Sequence, residues 1–224
     1  MKVSFCVTCY DGDVHLLRDR LLGIYSEQTV QPDEVLVIAS GVDSEPIVGD
    51  ANKPNLTIKT FEQRMLPGGA RNQGGKFATG DIVCFCDVDD PIHPQKCEIV
   101  KKIFEDNAEV DALVHNYKFN STEFENYNPS EITIEEVTEV DERWEKEQNY
   151  VFNPHKEIPK TCVITPSKGD VHHGHLSCTK EIFNDLKYRE EMWLGEDGDF
   201  CQSIVNSPKY SMYYTPLILI NYIT

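Results

Sequence analysis

Short apolar runs alternate with amphipathic stretches along the first half of this chain. Lys2 to Thr8 (KVSFCVT) is a β-rich run that closes on the turn residues Asp11-Gly12. Val14, Leu17, Leu21, Ile24 and Tyr25 then recur at helical spacing as far as Gln28. Gln31-Pro32-Asp33 breaks that pattern, and Glu34 to Ala39 (EVLVIA) predicts a second strand. Strand, helix and strand with short joints make a βαβ unit, which implies parallel pairing.

The alternation continues. Leu56 to Phe61 predicts a third strand, and Ala70, Gly74, Phe77 and Ala78 lie at helical spacing behind Gly68-Gly69. After the Gly80-Asp81 turn, Ile82 to Cys86 is a wholly apolar run of the kind found in a sheet covered on both faces. Pro94 is expected as the first residue of a helix whose inner face is Cys97, Val100, Ile103 and Phe104. Asp111 to Tyr117 is a further strand. From Asn120 to Gln148 the chain turns acidic and polar, with Glu131 to Ile134 as one short alternating strand. In Asp170 to Cys178, strand periodicity puts His173 and His175 on one face and His172 on the other. Thr179 is placed to cap a helix burying Ile182, Phe183 and Leu186. Phe200, Ile204 and Val205 mark another helix, and Tyr210 to Ile223 reads as a closing strand pair around Pro216. The fold class is therefore α/β: a mixed, mostly parallel sheet flanked by helices.

Composition narrows the partners. The 224 residues carry 21 basic and 38 acidic side chains, a formal net charge of −17. Such a surface repels nucleic acid and anionic lipid, and no basic stripe offsets it. No apolar run approaches the roughly 18–20 residues of a membrane span, and the start MKVSFCVTCYDG is too short and polar for a signal peptide. A cytoplasmic location is expected. The eight cysteines read as reduced thiols, because Cys6, Cys84 and Cys86 lie inside apolar runs and no second C-x-x-C joins Cys6 and Cys9.

The chemistry concentrates at the end of the Ile82–Cys86 run, where Asp87, Asp89 and Asp90 follow at once. In open α/β sheets the ligand crevice lies outside the carboxyl ends of the strands. Carboxylates gathered there repel one another unless a cation or a shifted pKa compensates, and a hard divalent metal carrying phosphates is the natural compensation. A calcium loop is excluded: Asp87, Asp89 and Glu98 match its spacing, but Ile92 stands where that loop needs glycine.

Gly69-Ala70-Arg71-Asn72, Gly75, Ala78, Gly80-Asp81, Asp87-Val88-Asp89-Asp90 and Pro94, in that order, resemble the centre of the family 2 glycosyltransferases of GT-A fold, which is Rossmann-like. Tyr25-Ser26-Glu27-Gln28-Thr29 with Pro32 and Glu34-Val35 looks like the start of the same family, and Gly195-Glu196-Asp197 matches its second acidic motif. The resemblance implies one GT-A domain over residues 1–224. Residues 1–118 would bind the donor and 119–224 the acceptor, with an acidic insertion at about 120–150. It implies a nucleotide-diphosphate sugar donor held by Thr8, Tyr10, Asp11, Ser40, Asp43, Arg71, Lys76, Asp87, Val88 and Asp89. A Mn2+ or Mg2+ ion would sit on Asp87 and Asp89, with His173 or His175 as a further ligand. Asp197 is the implied general base with Glu196 beside it, and Asp90, His172, Trp193 and Gly195 would meet a glycan or other hydroxyl acceptor. One departure stands out: Ala39-Ser40-Gly41 replaces the family's acidic pair after the second strand. No Gln-x-x-Arg-Trp follows, which argues against a polymer-extruding synthase. Two other readings remain open, a catalytically silent GT-A binding or scaffold module and a nucleotidyltransferase.

Overall fold

The computed structural model describes residues 1–144, 160–165, 170–171, 176–193 and 195–223. In chain order the first half is β1 (Val3–Tyr10), α1 (Leu17–Glu27), β2 (Glu34–Ser40), β3 (Leu56–Phe61), α2 (Pro67–Phe77), β4 (Ile82–Asp87), α3 (Lys96–Asp106) and β5 (Ala112–Phe119). The second half holds β6 (Glu135–Glu136), β7 (Glu139–Trp144), β8 (Lys160–Thr165), β9 (Asp170–Val171), β10 (Ser177–Thr179), α4 (Ile182–Asp185), α5 (Glu196–Val205) and β11 (Met212–Tyr222).

Eight strands form one sheet in the order β3-β2-β1-β4-β10-β5-β11-β6. β3, β2, β1 and β4 are parallel, as are β5 and β11, while β10 and β6 run antiparallel to their neighbours. β7, β8 and β9 make a separate three-stranded sheet. β1 sits between β2 and β4 and is covered on both sides, which is why Val3 to Val7 are buried without alternation. Phe5 and Val7 pack with Leu17, Leu21 and Val100 from α1 and α3 on one face. Cys6 packs with Ala70, Phe183 and Phe200 from α2, α4 and α5 on the other. Cys6 and Cys9 fall in opposite cores, so strand periodicity separates this pair as expected. The seven cysteines with described side chains are free and buried.

Two close approaches set where α2 lies. A Cβ on Gly74 would stand 2.3 Å from Cys6 Sγ, and one on Gly75 would stand 2.3 Å from the Phe183 ring. The glycines let α2 settle on β1 and α4 and deliver Arg71 to the strand ends. At the opposite end of the sheet, Ser4 Oγ donates to Glu34 Oε2 at 2.6 Å and accepts from Gly80 N at 2.8 Å, while Thr79 N donates to the same Glu34 oxygen at 2.7 Å. This buried network ties β1, β2 and the β4 entry together.

The structure departs from expectation in four places. Pro94 precedes α3, which starts at Lys96, because His93 turns the chain there: Gln95 N donates to His93 Nδ1 at 2.9 Å and Lys96 N to His93 O at 2.9 Å. Glu131–Ile134 is not a strand. A short 3-10 turn at Pro129–Glu131 leads to the two-residue β6, and Ile132 and Ile134 pack on the core as loop residues. Thr179 is the last residue of β10 rather than a cap, and α4 begins behind Glu181 without a side-chain cap bond. The closing strand pair is one strand, β11, whose register against β5 shifts after Thr215, where exposed Pro216 interrupts the pairing. No described helix is long and apolar enough to cross a membrane.

Candidate active site

The carboxyl ends of β1, β2 and β4 open into a cavity of about 310 Å³, floored by Thr8, Tyr10 and Ser40 and walled by Arg71, Asp87, Val88 and Asp89. Thr8 pairs with Asp87 across β1 and β4, and its Oγ1 donates to Asp87 Oδ1 at 2.8 Å. Arg64, from the loop between β3 and α2, lies over the Tyr10 ring at 4.2 Å and lines the same cavity. Trp193 and Tyr222 reach it from the second half of the chain.

Arg71 is the structural centre. Its side chain is 2% exposed, and Nη1 donates to Glu196 Oε1 at 2.7 Å and to Asp197 Oδ1 at 2.8 Å. Nη2 faces both Asp87 oxygens at 3.3 and 3.4 Å. One buried cation therefore bridges the strand-end carboxylate and the acidic pair that starts α5. Burial works against its charge, but Asp197, Asp87 and Glu196 overcome that and hold the guanidinium well above its ordinary pKa. Gly195, at φ 81°, turns the chain so that α5 begins on Glu196-Asp197, where the helix N-terminus favours carboxylates. Glu196 is sealed at 0% while Asp197 keeps 11% of its side-chain surface. Asp197 meets the cavity through Arg71 and does not line it itself.

The Arg71 shelf has a support that sequence reasoning missed. Tyr188 lies 5.8 Å from the guanidinium and stacks on Phe200 at 4.0 Å. Asn72 clamps it, accepting from Tyr188 N at 2.9 Å and donating to Tyr188 O at 2.9 Å and Glu190 at 3.0 Å. The Arg71-Asn72 pair was itself the available signal; Tyr188, in a loop of no periodicity, offered none.

Asp87 and Asp89 share the cavity, and Asp89 makes no salt bridge among the described residues. Burial, then Asp87, pushes the Asp89 carboxyl above its ordinary range. Asp90 points elsewhere. It is 1% exposed, accepts from Ile223 N at 3.3 Å, and is pushed up to about 7 by burial and by Asp87 and Asp89. Arg20 of α1 donates Nε to Val88 O at 2.9 Å and so holds the Asp-x-Asp turn from below. Asp11 and Asp43 are exposed and outside the cavity lining, and exposed Lys76 lies over Phe77 at 5.2 Å, away from Arg71's face of α2. His172, His173 and His175 lie outside the described residues. Among the described residues no group of three or more His, Cys, Asp or Glu is arranged to hold a metal ion by itself.

A mixed, mostly parallel sheet whose strand ends open on an Asp-x-Asp cavity, with a second acidic pair brought in at a helix start, has the GT-A architecture. The chain belongs to glycosyl transferase family 2, whose model matches residues 4–174. It is similar to an uncharacterized glycosyltransferase of Haemophilus influenzae, 28% identical over 98 residues that make up 44% of this chain and 33% of that protein. The uncharacterized glycosyltransferase YwdF of Bacillus subtilis is 33% identical over 107 residues, 47% of this chain and 39% of that one. The aligned part is thus about a third to two fifths of each relative. Among solved structures, S. aureus TarS 1-349 in complex with UDP-GlcNAc matches with a TM-score of 0.65 at 18% identity, covering 100% of this chain and 59% of that one. The same protein in complex with UDP gives 0.64 at 19% identity, covering 100% and 61%.

Proposed function

We propose that this domain transfers a sugar from a nucleoside-diphosphate sugar to a hydroxyl acceptor with inversion, using Asp197 as general base. The observation that carries the reading is the position of Arg71, which ties the donor-side Asp87 to the acceptor-side Glu196 and Asp197 within one buried ion cluster. Uridine diphosphate sugars are the first donors to test, by analogy with the TarS complexes.

Asp89 and Asp87 suit a hard divalent cation that takes its other oxygens from a ligand, since Asp89 makes no salt bridge among the described residues and Asp87 beside it raises the cost of its ionisation. Mn2+ or Mg2+ bound there would supply Lewis-acid stabilisation of the leaving diphosphate; His173 and His175 remain candidate ligands outside the described residues. Thr8 fixes Asp87 by its hydroxyl, and Arg71 supplies a permanent positive charge behind it. Asp197, paired with Arg71 and still partly open to solvent, accepts the acceptor hydroxyl proton. As that O–H bond breaks, the oxygen bonds to the anomeric carbon, and the bond from that carbon to the phosphate oxygen breaks. The nucleoside diphosphate departs with the bonding electrons.

A thermal-shift screen of nucleoside diphosphates and their sugars, with and without Mn2+, tests this. The expected result is metal-linked stabilisation by one nucleotide that is lost in Asp89→Ala, kept in Asp197→Ala, and accompanied by donor hydrolysis in the wild type. Binding without hydrolysis or transfer to any acceptor would leave a silent binding module instead.

A further inference from the structure

A second cavity, of about 580 Å³, lies against α1 and shares only Val88 and Asp89 with the cavity beside Arg71. α1 packs on the opposite face of the sheet from α2, so the two cavities flank the Asp-x-Asp turn. The volume is that of a small-molecule cleft. Phe124, Pro91 and Ile92 make an apolar wall. His93 fixes it: its ring meets Phe124 at 4.8 Å, and with Nδ1 accepting from Gln95 N, Nε2 donates to Glu125 O at 2.8 Å.

The facing wall is one stripe of α1, carrying Arg20, Gly23 and Glu27 at helical spacing. Gly23 stands in mid-helix, where glycine is unfavourable, yet no close approach requires it. The nearest atoms that a Cβ there would meet belong to the Glu27 carboxylate, at 3.8 and 3.9 Å, whereas Gly74 and Gly75 of α2 are pressed against their neighbours. Gly23 thus leaves a space that no protein atom uses. Opposite charges stand on either side of it without pairing. Arg20 spends Nε on Val88 O at 2.9 Å, while Nη1 and Nη2 make no hydrogen bond or salt bridge among the described residues, and neither does the exposed Glu27 carboxylate. Burial pulls the Arg20 pKa down, with Asp90, Asp89 and Glu27 among the groups that oppose it.

We propose that this second cavity binds a small zwitterion with an apolar side chain, in its simplest form an amino acid. Its carboxylate would take the two outer nitrogens of Arg20 as a fork, its ammonium would face Glu27, and its side chain would lie on Phe124, Pro91 and Ile92. A phosphate dianion fits less well, because Asp19, Glu27 and Asp89 line the same walls. A simple acid leaves Glu27 unmet, and a simple amine leaves Arg20 unmet. The site stands apart from Arg71 and Asp197 and does not depend on the transferase reading.

Saturation-transfer NMR on the full chain tests this, with L-phenylalanine, 3-phenylpropionate, phenethylamine and inorganic phosphate each titrated to about 20 mM. The expected result is saturable binding of L-phenylalanine, with phenethylamine about tenfold weaker and Arg20→Gln weakening L-phenylalanine by a similar factor. Glu27 is exposed, so Glu27→Gln should weaken L-phenylalanine only about threefold and leave 3-phenylpropionate unchanged. Gly23→Leu fills the space the glycine leaves. It should raise Tm through better helix propensity and abolish binding, which separates loss of the site from loss of the fold. Absence of saturable L-phenylalanine binding, equal binding of phenethylamine, tighter binding of phosphate, or binding that survives in Gly23→Leu would each overturn the proposal.

Discussion

Arg71 Nη1 donates to Glu196 Oε1 at 2.7 Å across 125 positions of sequence, and both side chains are buried. Arg71→Met, close in volume, would remove the cation that bridges Glu196, Asp197 and Asp87. Removing one partner of a buried ion cluster costs about 3–5 kcal/mol. Urea unfolding at neutral pH should show a loss of that order. The double variant Arg71→Met, Glu196→Gln should recover part of it, because the two residues share one interaction. Energies that simply add would mean that Glu196 is held by something other than Arg71.

Asn72 positions the shelf beneath that arginine. Asn72→Asp keeps the oxygen that accepts from Tyr188 N but turns the donor to Tyr188 O and Glu190 into a second acceptor facing acceptors. The expected cost is about 1–3 kcal/mol of stability. A drop in transfer kcat with little change in donor affinity should accompany it, because Tyr188 backs Arg71 where it meets Glu196 and Asp197. An unchanged kcat would make Asn72 purely structural.

Asp197 should separate chemistry from binding. Replacing a general base by its amide typically lowers the rate by about 10²–10⁴-fold. Asp197→Asn is therefore expected to bind nucleotide and Mn2+ like the wild type while losing transfer on that scale in single-turnover assays. A variant that keeps its rate would remove Asp197 from the mechanism.

The first half was legible because its signals are local. β1, β2 and β4 are buried on both faces and so read as unbroken apolar runs, and the carboxylates follow β4 directly. The link from Arg71 to Glu196 and Asp197 was not readable, since no spacing rule connects α2 to α5 across more than a hundred residues. Tyr188, Arg64 and Tyr222 were missed for the same reason: each joins the site through a loop or a strand end. β11 was misread as two strands because Pro216 usually ends pairing, whereas here a register shift carries the strand past it. Glu131–Ile134 alternates like a strand, yet its isoleucines simply anchor a loop.

Packing also limits what α2 accepts. Gly75→Ala would add helix propensity worth about 1 kcal/mol, yet its Cβ would meet the Phe183 ring at 2.3 Å. Overpacking of this kind costs about 1–3 kcal/mol, and the shift would also displace Arg71, one turn away on the same helix. Thermal unfolding should show a net loss in Gly75→Ala, and Phe183→Leu in the same chain should relieve part of it. A more stable Gly75→Ala would mean that α4 yields freely.

Asp90 and His115 give the stability of this domain opposite dependences on pH. Burial first, then Asp87 and Asp89, raises the Asp90 carboxyl from 3.8 to about 7, with the Ile223 amide and Arg20 opposing. The folded state therefore holds this proton more tightly than the unfolded chain does. The resulting stabilisation is complete below about pH 4 and is lost as pH rises through about 7. The difference between 3.8 and about 7 caps the effect at about 4 kcal/mol. His115 is buried, and burial and then Lys96 lower its pKa well below 6.5, with His93 also adding repulsion and the Asn116 carbonyl opposing. Its neutral form is favoured by folding, so its contribution is present above about pH 6.5 and is lost as pH falls. In the wild type the two trends partly cancel between about pH 5 and 7. Asp90→Asn removes the first, so its stability should rise steadily up to about pH 6.5 and then level off, standing above the wild type beyond pH 7. Urea unfolding in chelator across that range checks this, and a variant profile parallel to the wild type would show that Asp90 is ionised in the folded protein at neutral pH.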